Sequence, residues 1–341
     1  MEPQHRLARQ IIHTAVSKGM EDMKVNPRRG LRNLVDLALY FSESEQQKQF
    51  FEAAQKVISA SRNPYPALIT RMISDVNNDI VRQVGLNLGY SSLIHGAHKL
   101  KERQEELKVR LPWLLIFDVC RPDPVFFCRL EQFLREGQEL GIYSYIFCPR
   151  QNGAIPLLCQ MANRFEECLF VLNVTPEMIS EQNARVIGGI HNAMVSLEIA
   201  KGSLAEEKNA GAFRLLKQNR CLYGFHAGYK EAADLDRITD PEYVREAIAL
   251  GNIFGVYIAE PGTSDTCREA VYAFACRSRG KNGQPLVILE WERDIQNIGE
   301  SILSGDGDLR LPPAKGLGRW HVKAKDLLAK PLSEILRGTG I

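Results

Sequence analysis

From Leu111 to about residue 293 the chain repeats one unit: a short, β-rich apolar run followed by a stretch with helical spacing. The apolar runs are WLLIFDV (113–119), IYSYIF (142–147), CLFVLNV (168–174), AMVSLEI (193–199), LYGFHAG (222–228), IFGVYIA (253–259) and LVILEW (286–291). Strands apolar along their whole length are buried on both faces, which is the condition of a parallel sheet, and the amphipathic stretches between them supply the crossover helices. Such crossovers are right-handed, so six or seven in series curl into a complete or partial barrel or wind doubly. Gly141 and Gly251 stand just before the second and sixth runs, where a helix C-cap belongs.

The first 110 residues have a different texture. Apolar residues recur at three and four in LRNLVDLALYF and in PALITRMISDVNNDIVRQVGLNL, punctuated by Pro27, Pro64 and Pro66. Ser44, with Gln47 three residues on, reads as a capping box. LKERQEELKVR is a polar surface helix leading into the first strand. From about Asp294 the pattern fades into a tail punctuated by Gly and Pro, closed by a short helix, KPLSEILR. The expected organisation is a helical region (1–110), a partial (β/α)6-7 barrel of TIM type (111–293) and a tail (294–341). There is no internal repeat and no low-complexity tract.

Bulk properties exclude several classes. A formal net charge of +2 over 341 residues gives no global attraction to nucleic acid or anionic membrane. The local basic stretch KVNPRRGLR (24–32) reads as a solvated face. No apolar run reaches the roughly 18–20 residues of a membrane span, and MEPQHRLARQ lacks the apolar core of a secretory signal. Eight cysteines at irregular spacings fit reduced thiols, so the expected location is cytoplasmic.

In a parallel α/β barrel the reactive face is the carboxyl end of the strands, where the loops converge. The residues there are Asp118, Cys120 and Arg121; Cys148 and Arg150; Asn173 and Thr175; Glu198 and Lys201; His226 and Tyr229; Tyr257 and Glu260; Glu290, Glu292 and Arg293. Asp118, Glu198, His226, Glu260 and Glu292 are the acid–base candidates among them. Cys120, Cys128 and Cys148 are weak metal candidates, because no pair has the spacing of a zinc or cluster site; small buried hydrophobes are the plainer reading. Phosphate-binding glycine loops, HExxH and GxSxG are all absent.

Segments spread along the chain resemble radical SAM proteins that carry a helical N-terminal region and a SPASM-like C-terminal tail. They are NPRRGLRNLVDLA, NPYPALITRMISDVNNDIVRQ, LPWLLIFDV, REGQELGIYSYIF, VSLE, CLYGFHAGY, LVILEWERDIQNIG and AKPLSEIL. The resemblance implies a [4Fe-4S] cluster held by CxxxCxxC after the first strand, with S-adenosylmethionine on its fourth iron. This chain departs from that pattern. The loop reads VCRPDPVFFCRL; the methionine-binding GGEP is replaced by Pro149, Arg150, Gln151 and Asn152; Val174, Thr175 and Pro176 stand at the turn after the third strand. Ser301 and Trp320 stand where the family's auxiliary-cluster cysteines fall, and Glu198 alone survives as a vestigial cosubstrate position beside Arg150.

The expectation is therefore a degenerate member: a pseudoenzyme that holds no cofactor and serves as accessory or binding partner of an active relative, a peptide or a small ligand, with the helical region and the barrel mouth as contact surfaces. Neither nucleic acid nor a membrane span is expected. Two alternatives stand beside it. One is a divergent barrel enzyme using the strand-end carboxylates and histidine; the other is a radical SAM-type enzyme with an unconventional iron–sulfur site on Cys120, Cys128 and Cys148.

Overall fold

The computed structural model describes residues 3–303 apart from 43, 61, 120–122 and 201, together with 321–322, 331–332, 334 and 336. The chain opens with helices α1 (Pro3–Val25), α2 (Pro27–Tyr40), α3 (Glu45–Ser59), α4 (Tyr65–Asp75) and α5 (Asn78–Leu86). A π-helix over Asn87–Gly96 and α6 (Ala97–Leu107) follow. The repeating part is β1 (Leu114–Val119), α7 (Pro124–Leu140), β2 (Ser144–Pro149), α8 (Ala154–Arg164), β3 (Leu169–Val174), α9 (Glu181–Gly188) and β4 (Ala193–Ile199). It continues as α10 (Glu207–Gln218), β5 (Tyr223–Tyr229), α11 (Ala232–Thr239), α12 (Pro241–Ala249), β6 (Phe254–Ala259), α13 (Asp265–Arg279), β7 (Val287–Glu290) and α14 (Trp291–Leu303). A two-residue strand, β8 (His321–Val322), pairs with the free side of β1.

All the strand pairings are parallel, in the order β7-β6-β5-β4-β3-β2-β1-β8. Sequential order with helical crossovers is what a string of βαβ units produces, and the result is a partial barrel. Side chains alternate across the sheet. Leu115, Phe117, Tyr145, Phe147, Phe170, Leu197, Phe225 and Tyr257 face the outer helices and build the main core with α7 to α13. Leu114, Ile116, Ile146, Leu169, Phe254 and Val256 belong to a second cluster on the concave face. β1 and β7 are not paired. Instead Trp291 and Ile295 of α14 join the concave cluster, and Gly299 stands 3.4 Å from Trp113 just before β1 (measured from an ideal Cβ). Among the described residues no ladder joins β7 to β1 or β8, and α14 packs its side chains there.

α14 carries the helical pattern through Asp294 to Leu303. Trp291, Ile295, Ile298 and Ile302 form a stripe at helical spacing, which the intervening acidic residues and Gly299 obscure in the sequence. The helical region and the mouth lie at opposite ends of the strands. Arg71 donates to the carbonyls of Ile248, Asn252 and Pro285, ahead of β6 and β7. Asn87 donates to Glu166 and Cys168 ahead of β3, Ser92 meets Ser144 at the start of β2, and Asn77 N–H bonds Arg220 ahead of β5. The helices are thus a floor under the amino-terminal ends. The helices themselves are as expected, including the Ser44–Gln47 capping box and left-handed Gly141 and Gly251 at φ of 100° and 88°. No helix among the described residues is long and apolar enough to cross a membrane.

A buried polar cluster fastens α1 to this floor. The rings of His5 and His95 stack with centroids 3.7 Å apart, and His5 Nε2 lies 3.5 Å from Glu167. Arg9 bonds Ser91 and Asn87 and sits 3.7 Å from Glu167. Burial, then the neighbouring His5 and Lys99, depress the His95 pKa to about 3, against the pull of Glu167. An unfolded histidine titrates near 6.5, so the folded state binds fewer protons across the interval between. The stability carried by neutral His95 is intact above pH 6.5 and declines as pH falls toward 3. Wild-type protein should lose about 1 kcal/mol more between pH 7 and 5 than His95→Gln, the figure being reduced for partial exposure. Urea denaturation at the two pH values measures the difference; parallel slopes would refute it.

Candidate functional site

The register of the sheet carries one polar row across the concave face. Asp118 pairs with Cys148, and Asn173 pairs with Ser196. Phe147 pairs with Leu172, which sets Cys148 beside Asn173. Ser196 Oγ lies 2.9 Å from His226 Nδ1 on β5, and His226 is the register partner of Glu198. Asp118, Cys148, Asn173 and Ser196 each stand two positions toward the carboxyl end from an apolar residue: Ile116, Ile146, Val171 and Met194. The mouth is therefore a polar band resting on an apolar band, and the apolar band rests on the helical floor.

The two ends of the row differ in charge. Asp118 is paired with exposed Arg150 at 3.2 Å, a surface pair worth little on its own. At the other end, Glu198 and Glu260 are both exposed. Glu260 follows β6, and its carboxylate stands where a side chain on Gly228 would be: an ideal Cβ there would lie 2.7 Å from Oε1. Glycine at 228 lets that carboxylate lie against β5, two residues beyond His226. Ser196 is 3% exposed, so it serves to hold the imidazole rather than to attack a substrate. Fixing Nδ1 assigns any proton transfer to Nε2.

Several strand-end residues are elsewhere. Tyr229, Tyr257 and Glu290 face outward into the main core, because they fall on the other parity of their strands. Tyr257 donates to Ile238 O of α11. Tyr229 donates to Glu290 Oε1 at 2.8 Å, and Arg293 N–H bonds the other oxygen. Burial raises the Glu290 pKa despite those bonds. Glu292, an acid–base candidate, pairs with Arg268 of α13. That ion pair ties α13 to α14 and leaves Glu292 outside the polar row. Cys120, Arg121 and Lys201 lie outside the described residues. Cys128 is an exposed thiol on α7, whereas Cys148 is half-buried in the row; none of the seven described cysteines is in a disulfide. Ser196 is the row member that strand-end reading misses. Its signal was available in AMVSLEI, where Ser196 shares parity with Glu198.

No family model and no curated protein matches the chain. Among solved structures it is similar to the Streptococcus suis protein SuiB, at a TM-score of 0.42 in each of three cases. SuiB bound to S-adenosylmethionine aligns at 12% identity over 57% of this chain and 51% of that one, so the match spans about half the length of that relative. SuiB bound to precursor peptide SuiA aligns at 12% identity over 75% and 65%, and SuiB alone at 11% over 75% and 64%.

The outward placement of Tyr229 and Glu290 gives a direct check. Tyr229→Phe strips a buried carboxylate of its hydroxyl donor and should cost about 1–3 kcal/mol of stability. Ligand binding in the mouth should be unaffected. A stable Tyr229→Phe protein with altered mouth binding would place these residues in the site after all.

Proposed function

We propose that this chain is a non-catalytic binding protein on a radical-SAM-like barrel, and that its mouth takes a small polar ligand or the end of a peptide. The observation that supports the reading is the polar row Asp118, Cys148, Asn173, Ser196, His226 with Glu198 beside it. It offers donors and acceptors from five neighbouring strands on a rigid sheet, over an apolar base that excludes water. That is the composition of a small-molecule site.

Among the described residues the donor set does not fit an iron–sulfur cluster. Three thiolates must converge on one cube, yet the link from β1 to α7 is residues 120–123 alone. Cys128 already lies within α7 and is exposed. Among the described residues no group of three His, Cys, Asp or Glu side chains could hold a metal ion. Anaerobic reconstitution with iron and sulfide should leave well under one cluster per chain, and calorimetry should give no heat with S-adenosylmethionine. A stoichiometric cluster that cleaves S-adenosylmethionine when reduced would overturn the proposal.

One contact favours a second reading. The 2.9 Å bond from Ser196 to His226 Nδ1 orients the ring as a general base would be oriented, with Glu198 and Glu260 nearby. Ligands found by thermal-shift screening separate the two. On the binding reading, Asn173→Leu weakens such a ligand about tenfold or more by leaving its polar groups unpaired. The ligand is recovered unchanged from wild type. If wild type transforms it and His226→Asn binds it without turnover, the chain is an enzyme.

A further inference from the structure

A half-open apolar pocket of about 290 Å³ lies in the helical floor, remote from the mouth. Met20 and Met23 of α1, and Leu31 and Val35 of α2, form one side; Gly85 and Gly89 form part of the other. No charged side chain lines it. The two glycines carry the argument further. Gly85 is exposed and Gly89 half-buried, and nothing lies within 4 Å of where a Cβ would stand on either, so both stand on the open side of the pocket. Both sit inside helical structure, where glycine is less stable than alanine, and no clash excludes a larger residue. The two glycines therefore leave the entrance of the pocket unobstructed at a cost to their own helices. The volume is roughly twice the ~150 Å³ of a dry cavity that admits benzene, enough for a chain of about ten carbons.

What lies beside the cavity indicates the other end of the ligand. Arg28 precedes Leu31 by three residues and Arg32 precedes Val35 by three, so each arginine is one turn from a lining residue on α2. Both are exposed and have no acidic partner among the described residues. The neighbouring cations are engaged: Lys24 with Glu21 and Arg29 with Asp22. The basic stretch thus presents two arginines available for an anion beside an apolar chamber. We propose that the cavity holds the aliphatic tail of a medium-chain carboxylate whose head is met by Arg28 and Arg32.

Calorimetric titration of the full chain with decanoate, decanol and decyltrimethylammonium tests this. Decanoate should bind best and hexanoate much more weakly. Gly85→Leu should abolish decanoate binding while raising the melting temperature, which separates a filled cavity from a misfolded variant. The double variant Arg28→Glu/Arg32→Glu should lose about tenfold in decanoate affinity, as two partly exposed pairs allow, with decanol unchanged. Absence of decanoate binding, or full binding by a stable Gly85→Leu protein, would overturn the cavity assignment. Equal affinity for the anionic and cationic probes would overturn the role of the arginines. Binding to anionic phospholipid vesicles without binding of free decanoate would point to a membrane surface and refute the proposal.

Discussion

The backbone carbonyls at the amino-terminal ends of a buried parallel sheet need donors, and the way this chain supplies them governs its architecture. Turns leading into β3, β6 and β7 are partly covered by helices, and side chains meet their carbonyls. Arg71 meets three of them with one guanidinium, and Asn87 meets two with one amide. Within the barrel, Asn192 bonds the carbonyls of Ala162, Phe165 and Cys168 ahead of β4, and Asn252 bonds Ala247 O ahead of β6. The π-helix contributes geometry here. Its wider turn sets Asn87, Ser91, Ser92 and His95 at four separate points facing the barrel or α1.

Among the described residues the helices cover the amino-terminal ends of the strands, and the carboxyl ends carry the polar row. The apolar layer of Ile116, Ile146, Val171 and Met194 is shared between floor and mouth, so the polar row above it sits at a fixed depth. The seam between β1 and β7 is filled by α14, whose Trp291 and Ile295 enter the same layer. Floor, seam and site are therefore one packed object, while Glu290 and Asp294 hold the back of that seam through Tyr229 and Arg279.

The strands were legible because burial on both faces leaves a continuous apolar signature; AMVSLEI coincides with β4, and the other six runs lie within two residues of their strands. Local capping was legible for the same reason, since Ser44 and Gly141 act through chemistry confined to a few residues. Facing was not. Reading the residue at each strand end placed Tyr229, Tyr257 and Glu290 in the mouth, although one step along a strand moves a side chain to the opposite face. The π-helix could not be read, because its sequence NLGYSSLIHG has no period that distinguishes it from an α-helix. The floor was equally hidden: a polar Arg71 on a surface-like helix gives no hint that its partners are carbonyls of distant turns.

Those distances along the chain have a consequence for how the molecule comes into being. Arg71 is 177, 181 and 214 residues from the three groups it bonds. A ribosome releases α4 long before the turns ahead of β6 and β7 exist, so the amino-terminal helices wait with Leu68, Val76, Ile80 and Val84 uncovered until the concave face arrives to bury them. The bonds from Arg71 are completed late, when the turns ahead of β6 and β7 have been made, so the far end of the chain finishes fastening its first-made helices.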